Sequence, residues 1–119
     1  MKQEDKELLL KDLCARLPYG VKVESVFINP DTKERKSCGI EVFDATSILM
    51  IRDGLGEFKP YLFPLSSMTE EQKTSHNFLK HSAYAAPTKL VDWYIKNHFD
   101  YRGLIPMGLA NDATNLNIY

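Results

Sequence analysis

Val21-Lys22-Val23-Glu24-Ser25-Val26-Phe27-Ile28, then Asn29-Pro30-Asp31, then, past a charged stretch, Cys38-Gly39-Ile40-Glu41-Val42: this segment decides the fold. From Val21 to Glu24 apolar and polar residues alternate, the two-residue period that sends successive side chains to opposite faces of a strand. The parity slips over 25–27, which predicts a bulge. Asn29-Pro30-Asp31 is turn chemistry. The second run alternates again, Cys38, Ile40 and Val42 against Gly39 and Glu41. Strands joined so closely pair antiparallel, because a parallel crossover needs about a dozen residues.

Upstream, residues 4–17 carry Leu9, Leu10, Leu13, Cys14 and Leu17 on one helical stripe, with Lys6, Glu7, Lys11 and Asp12 on the wet side. The stripe predicts Cys14 as a small buried thiol, and Pro18 and Gly20 end the helix. Downstream, the unbroken run Ile48-Leu49-Met50-Ile51 reads as a third strand over 47–52, buried on both faces, with a tight turn at Asp53-Gly54 and Gly56. Residues 57–65 are extended and aromatic. Pro60 and Pro64 remove ladder donors there, which implies an edge strand or an irregular crossing.

Overlapping capping boxes, Ser67-x-x-Glu70 and Thr69-x-x-Gln72, start a helix near Met68. Its apolar stripe (Phe78, Leu79, Ala83) is thin, so most of it is expected in solvent. Pro87 and Thr88, the latter as N-cap, open a last helix whose Leu90, Val91, Tyr94, Ile95 and Phe99 form the strongest two-faced pattern of the chain and should pack on the sheet. Gly103, Pro106 and Gly108 break 101–110 into turns, and the polar 111–119 is expected to fray. The order predicts an α+β domain over 1–110. It consists of a small antiparallel sheet or partial barrel of three to four strands, packed by an N-terminal helix and C-terminal helices.

The 119 residues, 44% of them hydrophobic, make about one domain and are too apolar for disorder. Fifteen basic against 16 acidic residues lack the positive excess of a polyanion-coating protein. The run 48–51 is far short of the ~20 apolar residues of a membrane span. The charged start has no signal-peptide stretch, so a cytoplasmic protein without membrane contact is expected.

No cofactor and no metal are expected. His76 and His81, five apart, diverge by about 140° around a helix, and the two cysteines lack C-x-x-C spacing. Gly54-x-Gly56 lacks the third glycine of a dinucleotide-binding loop, and there is no nucleophile elbow. His98 stands at a helix end, where its charge would suit the negative terminus. With Asp92 or Asp100 it forms a possible general-base dyad, beside Cys38 or Ser66 as nucleophile. A small hydrolase or nucleotide-handling enzyme using His98 and Asp100 is therefore one reading. Three other groups read as partner-binding surface. Lys33, Arg35 and Lys36 form a hairpin loop of three basic residues against two acidic ones across 31–36. Tyr61 and Phe63 offer a stacking edge. His98, Asp100, Tyr101 and Arg102 make the densest aromatic and ionisable cluster, with Arg102 expected to pair with Asp100. A homo-oligomer joined by surplus aromatics is the third reading.

Three stretches carry a resemblance: Lys11-Asp-Leu-Cys-Ala-Arg-Leu-Pro-Tyr-Gly-Val-Lys22, Lys59-Pro-Tyr-Leu-Phe-Pro-Leu-Ser-Ser-Met-Thr-Glu-Glu71, and Asp92-Trp-Tyr with His98-Phe-Asp-Tyr-Arg-Gly-Leu-Ile-Pro-Met-Gly-Leu109. Together they resemble uncharacterised small proteins of gut anaerobic bacteria and their prophages and mobile elements. In that group the segment between the first two stretches varies. Many members end in an acidic tail, where this chain has Asn111-Asp112-Ala113-Thr114. The resemblance implies a stable frame carrying a changeable sheet, and it carries over no catalytic residue. A non-enzymatic binding or accessory module of a phage or mobile element follows as the leading expectation. It would meet a protein, or a nucleic acid through limited contacts, with its sheet and charged hairpin loop.

Overall fold

The computed structural model describes residues 2–82 and 87–119. Within them the chain runs α1 (Gln3–Arg16), a 3-10 turn (Leu17–Tyr19), β1 (Lys22–Ile28), β2 (Arg35–Val42), α2 (Ala45–Arg52), β3 (Gly56–Leu62), α3 (Glu70–His81), α4 (Pro87–Lys96) and β4 (Asn111–Asp112). The strands form one sheet in the order β2-β1-β3-β4. β1 is antiparallel to both neighbours, whereas the two-residue β4 runs parallel to β3. The fold is α+β, with helices packed on a small mixed sheet that stays open rather than closing into a barrel.

The expected bulge is present, and its extra residue lies on β2. Ser25 faces Gly39 while Val26 faces Ser37, which leaves Cys38 over. Gly39 takes φ +81°, a conformation that glycine adopts without a Cβ clash. At the hairpin tip the Asn29 side-chain oxygen accepts the N–H groups of Asp31 and Thr32 (2.9 and 3.1 Å), the local hydrogen bonding that favours Asn in turns.

Residues 47–52 are helix, not the third strand that the apolar run predicted. The Asp44 carboxylate accepts the Ser47 N–H (3.1 Å) and the Ser47 hydroxyl accepts the Asp44 N–H (3.2 Å), a reciprocal cap that starts α2. At its other end Gly54, at φ +71°, donates to the Ile51 carbonyl, and Leu55 donates to that of Met50, both at helix-closing positions. Asp53-Gly54 is therefore a helix stop, not a hairpin turn. Leu49 is 48% exposed, as one side of a surface helix must be.

β3 explains how a strand tolerates Pro60. Ile28 donates to the Leu55 carbonyl, so by ladder alternation Glu57 and Lys59 turn their backbone polar groups toward β1, and Phe58, Pro60 and Leu62 turn theirs away. The donor that proline lacks is one β1 never used. β4 pairs only with Tyr61 and Leu62, so along the rest of β3 no strand among the described residues pairs with its outer edge.

Leu9, Leu13, Val21, Val23, Phe43, Phe58, Leu62, Leu104 and Leu109 make the core, with Phe43 edge-on to Phe58 at 5.7 Å. Cys14 is exposed, contrary to the stripe that placed it inside, while Asp12 and Arg16 are fully buried. The buried face is thus turned by about one position, toward Leu9, Asp12, Leu13 and Arg16. α3 carries the Thr69–Gln72 capping box and buries none of its residues; Ala83 lies outside the described residues. Among the described residues α4 packs chiefly against α3 and α1, not mainly on the sheet as its pattern predicted. Thr88 sits inside that helix instead of capping it, and position 86 is outside the described residues. The segment expected to fray is docked: Ala113 is buried and donates to the Leu62 carbonyl.

Candidate binding face

One face of the sheet belongs to the core: Val21 just before β1, Val23 and Ser25 from β1, and Phe58, Pro60 and Leu62 from β3 are all buried. By the strand period the opposite face collects Lys22, Glu24, Val26 and Ile28 from β1, Arg35, Ser37, Ile40 and Val42 from β2, and Glu57, Lys59 and Tyr61 from β3. Every residue of β2 is exposed, Ile40 at 50% and Val42 at 52%, and Val26 and Ile28 are half-buried. These four aliphatic side chains form a strip among charges of both signs. Across β1, Arg35 donates from both terminal nitrogens to the Glu57 carboxylate, with Nη1 at 2.9 Å from Oε1. The pair is exposed and adds at most about 1 kcal/mol, but it fixes two opposite charges side by side. A hollow of about 690 Å³ is lined by Val26, Ile28 and Lys59 of this face together with Leu9, Leu10 and Leu13 of α1 and Phe58. A smaller hollow of about 450 Å³ lies between α3 and α4 beside Phe78, which is 70% exposed.

The residues singled out in the sequence divide between the two ends of β1, about 20 Å apart for a strand of this length. At the hairpin end, Lys33 caps the tip at φ 63°. Arg35 and Lys36 belong to β2 instead of the loop. Arg35 is held by Glu57, while the Lys36 side chain is exposed.

At the other end Tyr61, Phe63, His98, Asp100, Tyr101 and Arg102 gather with Tyr119 around buried Arg16. Arg16 Nε donates to Asp12 (2.8 Å) and Nη2 to the Phe99 carbonyl (2.6 Å), while its guanidinium lies over the Tyr101 ring. Arg102 pairs with Asp12 (3.1 Å), not with Asp100. Both Asp100 oxygens accept backbone N–H groups, from Leu104 (2.8 Å) and Ile105 (2.9 Å), and so cap the following turn. His98 does not sit charged at the helix terminus. Its ring stacks on Tyr119 at 3.7 Å, and its Nδ1 is buried with no hydrogen-bond partner among the described residues. Burial, with Arg16 and Lys22 nearby, lowers its pKa to about 4, so it is neutral at pH 7. Phe63 packs between Phe99 and Tyr119. This end is a closed structural cluster in which His98 and Asp100 form no dyad, and neither hollow is lined by it. His76 bonds the Tyr94 hydroxyl (2.6 Å), joining α3 to α4.

Sequence reasoning missed Val26, Ile28, Ile40 and Val42 as site residues, although their alternation was the signal that placed the strands. Among the described residues no group of three His, Cys, Asp or Glu is placed to hold a metal ion, and no helix is long and apolar enough to cross a membrane. Compared with protein-family models, curated proteins and solved structures, the chain matches none.

Proposed function

We propose that the chain is a binding module whose open sheet face takes a segment of another protein. The observation that carries this is the uncovered strip of Val26, Ile28, Ile40 and Val42, two of them about half exposed, beside a hollow that extends the same apolar ground. Apolar area flanked by polar groups is the surface proteins use to meet proteins. Lys22, Glu24, Arg35, Glu57 and Lys59 mix both signs on this face, and a phosphate backbone would call for cations alone. Lys33, at the hairpin tip, lies at the end of this face, while Lys36, between Arg35 and Ser37 on β2, projects from the other one. The resemblance of the flanks to small proteins of gut anaerobes and their mobile elements supports an accessory role in the bacterial cytoplasm, with a host or phage protein as partner. Asp100, with both oxygens committed to backbone, gives the enzymatic reading no support.

The test is capture from native lysate on immobilised protein, read by mass spectrometry with and without nuclease. Specific proteins retained after nuclease treatment support the reading. A loss of all capture on nuclease treatment transfers the role to nucleic acid.

A further inference from the structure

A second surface, the free edge of β2, has a different logic from the face. At one end of the hairpin Phe43 donates to the Val21 carbonyl, and at the other Asn29 donates to the Glu34 carbonyl, both at 2.9 Å. Alternation inward from these two rungs turns Cys38 and Gly39 toward β1 at the bulge, and leaves the backbone groups of Arg35, Ser37, Ile40 and Val42 pointing outward, with no strand among the described residues to receive them. The outward groups are therefore spaced by two, three and two residues. A regular strand, which presents a group every second residue, matches one half of this edge and falls out of register on the other.

A second copy of the same edge does match. Spacings of two, three and two read the same in reverse, so an antiparallel partner related by a two-fold axis between Cys38 and Gly39 sets Arg35 against Val42 and Ser37 against Ile40, and the two bulges face each other. In that register Lys36 lies opposite Glu41, twice per pair. Neither side chain has a hydrogen-bond or ion-pair partner among the described residues, and both are exposed. An opposite-charge pair directly across two strands is favourable and a like-charge pair unfavourable, so the register is self-complementary in charge as well as in spacing.

We infer that the protein is a two-fold dimer joined edge to edge through β2, with Lys36 of one copy against Glu41 of the other. The result is one continuous sheet carrying two open faces.

Sedimentation velocity of the full chain over a micromolar to millimolar series tests this. The wild type is expected to dimerise. Lys36→Glu and Glu41→Lys should each weaken association about tenfold or more, because each creates two like-charge oppositions per dimer. The double exchange Lys36→Glu/Glu41→Lys should restore it. Both positions are exposed, and circular dichroism melts show whether each variant folds. As an independent measurement, Lys36→Cys/Glu41→Cys in a Cys14→Ser/Cys38→Ser background should form intermolecular disulfides under mild oxidation, since directly opposed residues have Cα atoms within bonding reach. A wild type that stays monomeric throughout overturns the proposal. So does a dimer indifferent to both single charge changes, or a double exchange that fails to recover.

Discussion

The Tyr119 hydroxyl accepts the backbone N–H of Lys22 at 2.7 Å and donates to the Tyr61 carbonyl at 2.8 Å. It thereby supplies the last rung between β1 and β3 where the direct ladder has ended at Val23 and Pro60. The Tyr119 ring also lies on His98, and the Lys22 ammonium donates to the Ile118 carbonyl, so the chain end is tied at several points. Burial pushes the Tyr119 hydroxyl up to about 12, partly offset by the hydrogen bond from Lys22, so it remains a donor at any ordinary pH.

Tyr119→Phe keeps the ring and removes the rung. Lys22 N–H and Tyr61 C=O are then held apart by a group that bonds neither, at a cost of about 1 kcal/mol. Urea unfolding should show a lower midpoint with unchanged slope. Hydrogen exchange should quicken at Lys22, and not at Val26.

His98 sets a pH dependence. Its pKa falls from 6.5 to about 4 on folding, through burial first and then Arg16 and Lys22. Between these values the unfolded chain binds the proton and the folded chain does not, so stability is full above pH 6.5 and declines as pH falls toward 4. His98→Asn tolerates the positive φ of 62° and removes the titration. The difference between the stability–pH curves of wild type and His98→Asn should have a positive slope from pH 4 to 6.5 and be flat above. A difference flat across the whole range would refute the neutral, buried state.

Asp12 is the counter-ion of two arginines, and both it and Arg16 are wholly buried. Asp12→Ala strands a buried guanidinium and should cost about 3–5 kcal/mol, whereas Asp12→Leu with Arg16→Met, which removes both fully buried charges and leaves only the partly exposed Arg102 without its carboxylate, should cost markedly less. Denaturation of the two variants side by side measures the contrast. Equal losses would mean that the pair acts through packing alone.

Legibility in the sequence followed range. The hairpin, its parity slip and the Thr69–Gln72 cap are written in neighbours, and local chemistry alone specifies them. Residues 47–52 were misread because a short apolar run has no period. The deciding signal, Asp44 and Ser47 capping each other, reverses the usual order of capping residues. Cys14 was placed inside because Leu10 and Leu17 drew the stripe toward it, while the buried ion pair of Asp12 and Arg16 turned the helix the other way. Arg102 found Asp12, 90 residues away, and Tyr119 found Lys22, 97 away; no local pattern encodes either. The binding face was half legible. Alternation showed that Ile40 and Val42 share a side, but only the packing shows that this side is uncovered.

The most direct measurement is the affinity of the captured protein partner for Ile40→Lys/Val42→Lys beside His98→Asn. If the open face is the binding site, the first variant folds and loses at least about tenfold in affinity, because two lysines replace the aliphatic strip. The second binds as the wild type does. Undiminished binding by Ile40→Lys/Val42→Lys together with lost binding by His98→Asn would contradict the account, moving function to the closed cluster at the other end of β1.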